Sequence, residues 1–261
     1  MTLTKDLYQK LWNSADILRS NMDASEYKSY LLGLIFYKYL SDKQLEYVGE
    51  LMEVEDLSLE SLQDVYEETY DSEDGEELVY ELNVRFSYVI KPAYTYTKFI
   101  EEIDDKSFEL EHLDQGFRDI EQASKDFENM FEDVDLYSKR LGSSLQRQNE
   151  TISKVMKEIA SLDLSLYSGD VLGDVYEYMI GQFATESGKK AGEFYTPQQV
   201  SSLMAKIAMD GKEDIKGFTV YDPTMGFRVI IVIEANSYVN TRSSRLLPKF
   251  KTQKINSWCA A

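Results

Sequence analysis

The chain is poor in the residues that most small-protein chemistry uses. Its 261 residues include one histidine, His112, one cysteine, Cys259, and four prolines. A single cysteine excludes a disulfide framework and fits a reducing cytoplasm. A single histidine excludes most histidine-based metal and triad chemistry by count, which leaves a cofactor, carboxylates or amides to carry any reaction. No run approaches the length of about 18 apolar residues that a membrane helix needs, and no apolar leader opens the chain. The expectation is therefore a cytoplasmic protein that makes no membrane contact and holds no metal.

The charge is large and uneven. The net charge is −19, but residues 227–261 hold six basic residues (Arg228, Arg242, Arg245, Lys249, Lys251, Lys254) against one acid, Glu234. Residues 1–226 hold 22 basic and 46 acidic residues, a balance of −24. Such a body repels a phosphate backbone, so any work on DNA needs a partner to supply most of the grip.

Up to about residue 165 the apolar pattern is helical. Leu3, Leu7, Leu11, Ala15 and Leu18 recur at helical spacing, as do Tyr27, Tyr30, Leu31, Leu34 and Ile35, with Asp23 or Ser25 as a cap before the second run. Acids cluster over 50–81, and Asp71–Glu77, with Gly75 inside it, reads as an exposed loop. Lys91-Pro92 interrupts the helical pattern. Amphipathic helices are expected over 107–134 and 143–163, the latter with Leu145, Ile152, Val155, Met156, Ile159 and Leu162 on its apolar face. Apolar residues at this spacing make a packed core, although tyrosines in such number also suit a partner surface.

Beyond 165 the character changes. A turn and cap at Ser168–Asp170 lead into a helix through Val175, Met179 and Ile180. Gly188–Gly192 is a basic, glycine-bearing loop. Thr196 caps a helix opened by Pro197 and running through Val200, Leu203, Met204 and Ile207. After Gly211 the run Phe218–Tyr221 reads as a strand. Helix, loop, helix, strand is the order of entry to an α/β domain.

Two segments carry chemistry. Glu193-Phe194-Tyr195-Thr196-Pro197 sets an aromatic pair against a helix N-terminus, which offers a stacking face, backbone donors and a hydroxyl to an adenosine-type ligand. Alone it is also a staple and cap. Asp222-Pro223-Thr224-Met225-Gly226 directly follows the strand, where open α/β sheets bind ligands.

Together the two segments resemble the modification (M) subunit of type I restriction–modification systems. The likeness spans about residues 1–226, including Leu7–Trp12, Tyr30–Leu40 and Leu172–Ala184. It implies a mainly α N-terminal helical domain over 1–165, which serves assembly and closure around DNA. The start of a Rossmann-like methyltransferase domain would follow over 166–226. It also implies adenine-N6 methylation of DNA with S-adenosylmethionine, in a complex with a specificity subunit, a second M subunit and a restriction subunit. On this likeness Glu193, Phe194, Tyr195, Thr196, Pro197 and Gln198 fall on the first cofactor-contacting block. Asp222, Pro223 and Gly226 fall on the start of the loop that holds the methionine portion.

The chain then departs from the family. Phe227-Arg228-Val229 stands where small residues allow close backbone approach. The family's Asn-Pro-Pro-Phe/Tyr motif, which grips the flipped adenine, is absent: Pro92, Pro197, Pro223 and Pro248 are isolated and none follows an asparagine. No catalytic residue is therefore assigned. Phe227 to Glu234 can be encoded by TTC AGG GTC ATT ATT GTT ATT GAA. Dropping the first T lets the same bases encode Ser-Gly-Ser-Leu-Leu-Leu-Leu, the family's continuation. The expectation is a truncated, frameshifted form with an aberrant, disordered tail over 227–261, catalytically inactive and doubtful in cofactor binding. The alternatives are a helical assembly module that binds the specificity subunit without catalysis, and a methyltransferase completed by a separate chain.

Overall fold

The computed structural model describes residues 5–162 continuously, together with helical positions at Gly173, Val175, Tyr178, Met179, Val200, Leu203, Met204, Lys206 and Ile207. The chain divides into two units, Met1–Ala191 and Gly192–Ala261. All continuous elements of the first unit are helical: α1 Lys5–Arg19, α2 Ala24–Leu51, α3 Leu59–Tyr70, α4 Gly75–Phe86, α5 Tyr96–Asp105, α6 Leu110–Ala123 and α7 Leu145–Ala160. A 3-10 turn, Pro92–Tyr94, precedes α5. No strand occurs among the described residues, and the expected strand Phe218–Tyr221 lies outside them.

The 28-residue α2 is the central element. Asp23 is its N-cap, and the Asp23 N–H donates to Glu26 Oε2 at 3.3 Å, so the expected cap is in place. Tyr27, Tyr30, Leu31, Leu34, Ile35, Tyr37, Leu40, Leu45 and Val48 are all buried. Lys38, Ser41, Asp42 and Gln44 are buried as well, so the helix is enclosed on several faces rather than along one stripe. Lys38 and Asp42 form an ion pair one turn apart, which keeps two charges together inside the packed body. One core joins α1, α2, α5, α6 and α7, and a smaller one joins Leu45 and Val48 to Leu62, Tyr66, Leu78 and Leu82.

The segment between α4 and α5 is irregular yet largely buried, so its backbone groups need partners. Gln44 supplies two for Ile90: its Nε2 donates to the Ile90 carbonyl and its Oε1 accepts from the Ile90 N–H, both at 2.8 Å. Tyr66 OH also donates to the Ile90 carbonyl at 2.8 Å. Gln63 Nε2 reaches the Pro92 carbonyl at 3.0 Å, and the Tyr96 N–H donates to Ser41 Oγ at 2.8 Å.

Buried tyrosines make similar ties. Tyr30 OH donates to Asp135 O, Tyr37 OH to Tyr94 O, Tyr88 OH to Leu40 O and Tyr96 OH to Met156 O, at 2.6–2.9 Å. These tyrosines are core residues with a satisfied polar tip, not a partner surface. Among the described residues, Tyr80 and Tyr137 are exposed.

Three expectations need correction. Gly75 is buried and begins α4 rather than lying in an exposed loop; a Cβ there would collide with the Tyr70 carbonyl. The helix expected over 107–134 spans only Leu110–Ala123. Ser124 is extended, and the chain folds back so that Phe131 stacks on Phe117 at 4.1 Å while the Phe131 N–H donates to Glu121. Leu145, placed on the apolar face of α7, is 60% exposed. It is the first residue of the helix, and its side chain leans past the end of the packed face.

Two outcomes follow from these ties. Gln44→Leu keeps the volume but strips the Ile90 N–H of its partner, and urea unfolding should show a loss of about 1–3 kcal/mol. A loss below about 0.5 kcal/mol would mean that the Ile90 amide has other access to a partner. Burial raises the hydroxyl pKa of Tyr37, Tyr66, Tyr88 and Tyr96 above the ordinary value of 10.0. The folded chain therefore holds these protons more tightly than the unfolded chain. Stability should be constant below the unfolded value and fall as pH rises above about 10. Thermal melts between neutral and alkaline pH, with tyrosinate absorbance, would check this.

Candidate functional site

Every residue assigned to the cofactor pocket, Glu193 to Gln198 with Asp222, Pro223 and Gly226, lies outside the described residues. The segments on either side of the first block are partly described. Gly173, Val175, Tyr178 and Met179 are helical, as the three-four spacing predicts. Val175 and Met179, one turn apart, are each 1% exposed and join the core that contains α1 and α7. The chain leading toward the first block is thereby anchored to the helical body. Beyond the block, Val200, Leu203, Met204 and Ile207 are also helical, and they are 45–68% exposed. Their spacing puts them on one helix face, so this second unit presents an apolar stripe.

Among the described residues no group of three or more histidines, cysteines or acids could hold a metal. Several charged side chains there form ion pairs. Lys98 lies 2.9 Å from Glu67 and 3.1 Å from Glu101. Hydrogen bonding to Glu67 is the main reason the Lys98 pKa is pushed up to about 12. His112 lies 3.7 Å from Glu102. Burial raises the Glu102 carboxyl pKa, and His112 partly offsets it.

The sequence reading missed one cationic cluster. An open pocket of about 410 Å³ is lined by Asn21, Lys139, Arg140, Gly142, Ser143 and Arg147. Arg140 pairs with Glu26 at the rim. Lys139 and Arg147 have no acidic partner among the described residues. The loop carrying Lys139 and Arg140 is held from behind by Gln148 on α7. Gln148 Nε2 donates to the carbonyls of Tyr137, Ser138 and Gly142 at 2.9, 3.2 and 3.1 Å. Thr151 Oγ1 donates to the Leu141 carbonyl at 2.8 Å. The available signal was a run from Leu136 to Asn149 with three cations and no acid, set within a strongly acidic region.

Comparison with known proteins gives a consistent set of relatives. The model of the HsdM N-terminal domain matches residues 7–159, and that of the N-6 DNA Methylase matches residues 167–256. The chain is 30% identical over 235 residues to the type I restriction enzyme MpnII methylase subunit of Mycoplasma pneumoniae, covering 84% of this chain and 42% of that protein. It is 27% identical over 236 residues to the MjaIX methylase subunit of Methanocaldococcus jannaschii, covering 86% and 38%. Among solved structures, a type I restriction–modification methyltransferase subunit from Streptococcus thermophilus is 56% identical. The TM-score is 0.81, with 90% of this chain and 50% of that one covered. The chain thus spans half or less of the length of these relatives.

The anchoring of the segment before the cofactor block is testable. Met179→Ala should destabilise the helical body by about 2–5 kcal/mol in urea unfolding, as loss of a fully buried side chain does. An unchanged midpoint would show that this segment is not part of the cooperative core.

Proposed function

The chain belongs to the family of type I restriction–modification DNA methylase subunits, and from that premise we propose that it carries part of an S-adenosylmethionine-dependent, adenine-N6-specific DNA methylation machinery. The observation that carries the reading is the pair of family matches, one over the helical body and the other over residues 167–256. The gap between them, at 160–166, supports a domain boundary near 165. In this reading Phe194 and Tyr195 stack on the cofactor's adenosine, and Thr196 with the helix N-terminus donates to it. Asp222, Pro223 and Gly226 begin the loop around its methionine portion, on a truncated Rossmann-like start. No step of methyl transfer is assigned to any residue, because the 261 residues contain no Asn-Pro-Pro-Phe/Tyr motif.

The helical domain, on the same reading, docks the specificity subunit, and the assembled complex also takes up a second M subunit and the restriction subunit. The acidic body supports this division of labour, since a chain of net charge −19 leaves most of the grip on DNA to a partner. The reading also includes a reading-frame shift after Gly226, supported by the codon argument and the bulky Phe227-Arg228-Val229. Because the second family match extends to residue 256, the nucleotide sequence around codon 226 is the decisive check.

Co-expression with the specificity subunit tests the whole. The 261-residue chain should co-purify with that subunit and leave DNA unmethylated. The gene with the family reading restored after Gly226 and its downstream frame intact should methylate adenine. In the restored protein, Tyr195→Ala should weaken S-adenosylmethionine binding about tenfold or more, the cost of one lost stacking contact of about 1–3 kcal/mol. Methylation by the 261-residue chain alone would refute the inactive assignment.

A further inference from the structure

We propose that the pocket lined by Lys139, Arg140, Ser143 and Arg147 binds a backbone phosphate of duplex DNA, giving the helical domain its own contact to the nucleic acid. The inference rests on the DNA methylase reading above and adds a location that reading does not supply. Three observations converge on it. First, Lys139 and Arg147 are exposed and unpaired by acids among the described residues, in a region where acids outnumber bases about two to one. Uncommitted cations in such a region are costly for solubility or stability only if they are buried, and these are not. They are free to meet an external anion.

Second, the site is built rather than incidental. Gln148 is buried and holds three loop carbonyls on the inner side, while Thr151 holds a fourth. Four of the loop's acceptors are thereby taken up by α7 side chains, and Lys139, Arg140, Gly142 and Ser143 line the pocket with Asn21 and Arg147. A pocket lined by acceptors would reject a phosphate; this one offers donors. Third, the pocket lies where α7 begins, with Ser144 as N-cap and Arg147 in the first turn. Arginine presents a planar fork to phosphate oxygens, and the positive end of the helix dipole favours the same charge. Glu26, paired with Arg140, offsets part of that cation's charge and leaves Lys139 and Arg147 as the main donors.

The acidic body explains why the source is a polymer rather than a free anion. One phosphate contact is weak in the repulsive field of this chain, and it gains strength only when neighbouring contacts on the same strand, or a docked partner, raise the local concentration. The contact would orient the helical domain on the duplex without reading sequence, as phosphate contacts do.

The test uses the full chain and a fluorescent duplex of random sequence at about 20 mM salt, followed by anisotropy over rising salt. Lys139→Ala with Arg147→Ala should weaken binding about tenfold and lower the slope of log affinity against log salt by about 1, the loss of one phosphate contact. The exposed pair Lys125→Ala with Lys154→Ala changes net charge equally and should change affinity less than about twofold. Gln148→Leu removes no charge yet frees the loop, and should weaken binding about threefold or more with helical content retained by circular dichroism. Ser143→Asp places a carboxylate in the pocket and should reproduce the double variant's loss.

Equal losses in the two double variants would overturn the proposal, as would no duplex binding by the wild-type chain. Displacement of the duplex by inorganic phosphate at equal phosphate concentration would reassign the pocket to a free anion and overturn the DNA assignment. Co-purification with the specificity subunit in any of these cases would leave the family reading standing, so the two failures are distinguishable.

Discussion

The helical body depends on satisfying a buried stretch of irregular chain. Between Ser87 and Thr95 the backbone has only the single 3-10 turn Pro92–Tyr94, yet Tyr88, Ile90, Pro92 and Thr95 are buried. Side chains of α2 and α3 replace the ladder: Gln44, Ser41, Gln63 and Tyr66 between them serve Ile90, Pro92 and Tyr96. Each of these donors and acceptors would otherwise carry the desolvation cost of an orphaned peptide group. The segment in turn positions Thr95, which caps α5 by accepting from the Lys98 N–H, and α5 closes the core against α2 and α7.

This arrangement accounts for the abundance of tyrosine. A phenylalanine would fill the same volume, but it could not reach a carbonyl across the core. Tyr37 shows both functions: its ring lies 5.2 Å from that of Phe117 edge-on, and its hydroxyl closes on Tyr94 O. Gly116 makes room for it, since a Cβ there would meet the Tyr37 hydroxyl. The aromatic cluster continues through Phe131, which stacks on Phe117 and folds the 124–144 segment back toward α2, where Tyr30 meets Asp135 O. The same returning segment ends in the loop that Gln148 fastens to α7.

An acidic, tightly tied helical body precedes residues 193–198 and 222–226 in the chain. Val175 and Met179 carry the connection, because their burial in the core fixes the chain before it reaches Glu193. An acidic body suits a subunit that is brought to DNA by others. A cationic loop on that body suits a single phosphate contact made once it has arrived.

The sequence by itself determined the helical class, an α2 cap at Asp23 or Ser25, the interruption at Lys91-Pro92 and the buried faces of α1, α2 and α7. Each is set by local spacing or by proline geometry, and local rules are visible in local sequence. The family was also legible, because Glu193–Pro197 and Asp222–Gly226 are contiguous motifs whose spacing survives without a structure. Only the tertiary structure decided that Gly75 is buried, that the expected helix after residue 107 ends at Ala123, and that Gln44 and the tyrosines serve the backbone of Ser87–Thr95. It alone brought Asn21 beside Lys139 and Arg147. These depend on contacts between residues far apart in the chain, where packing and the need to satisfy buried polar groups override the helical pattern, and no window of sequence contains both partners.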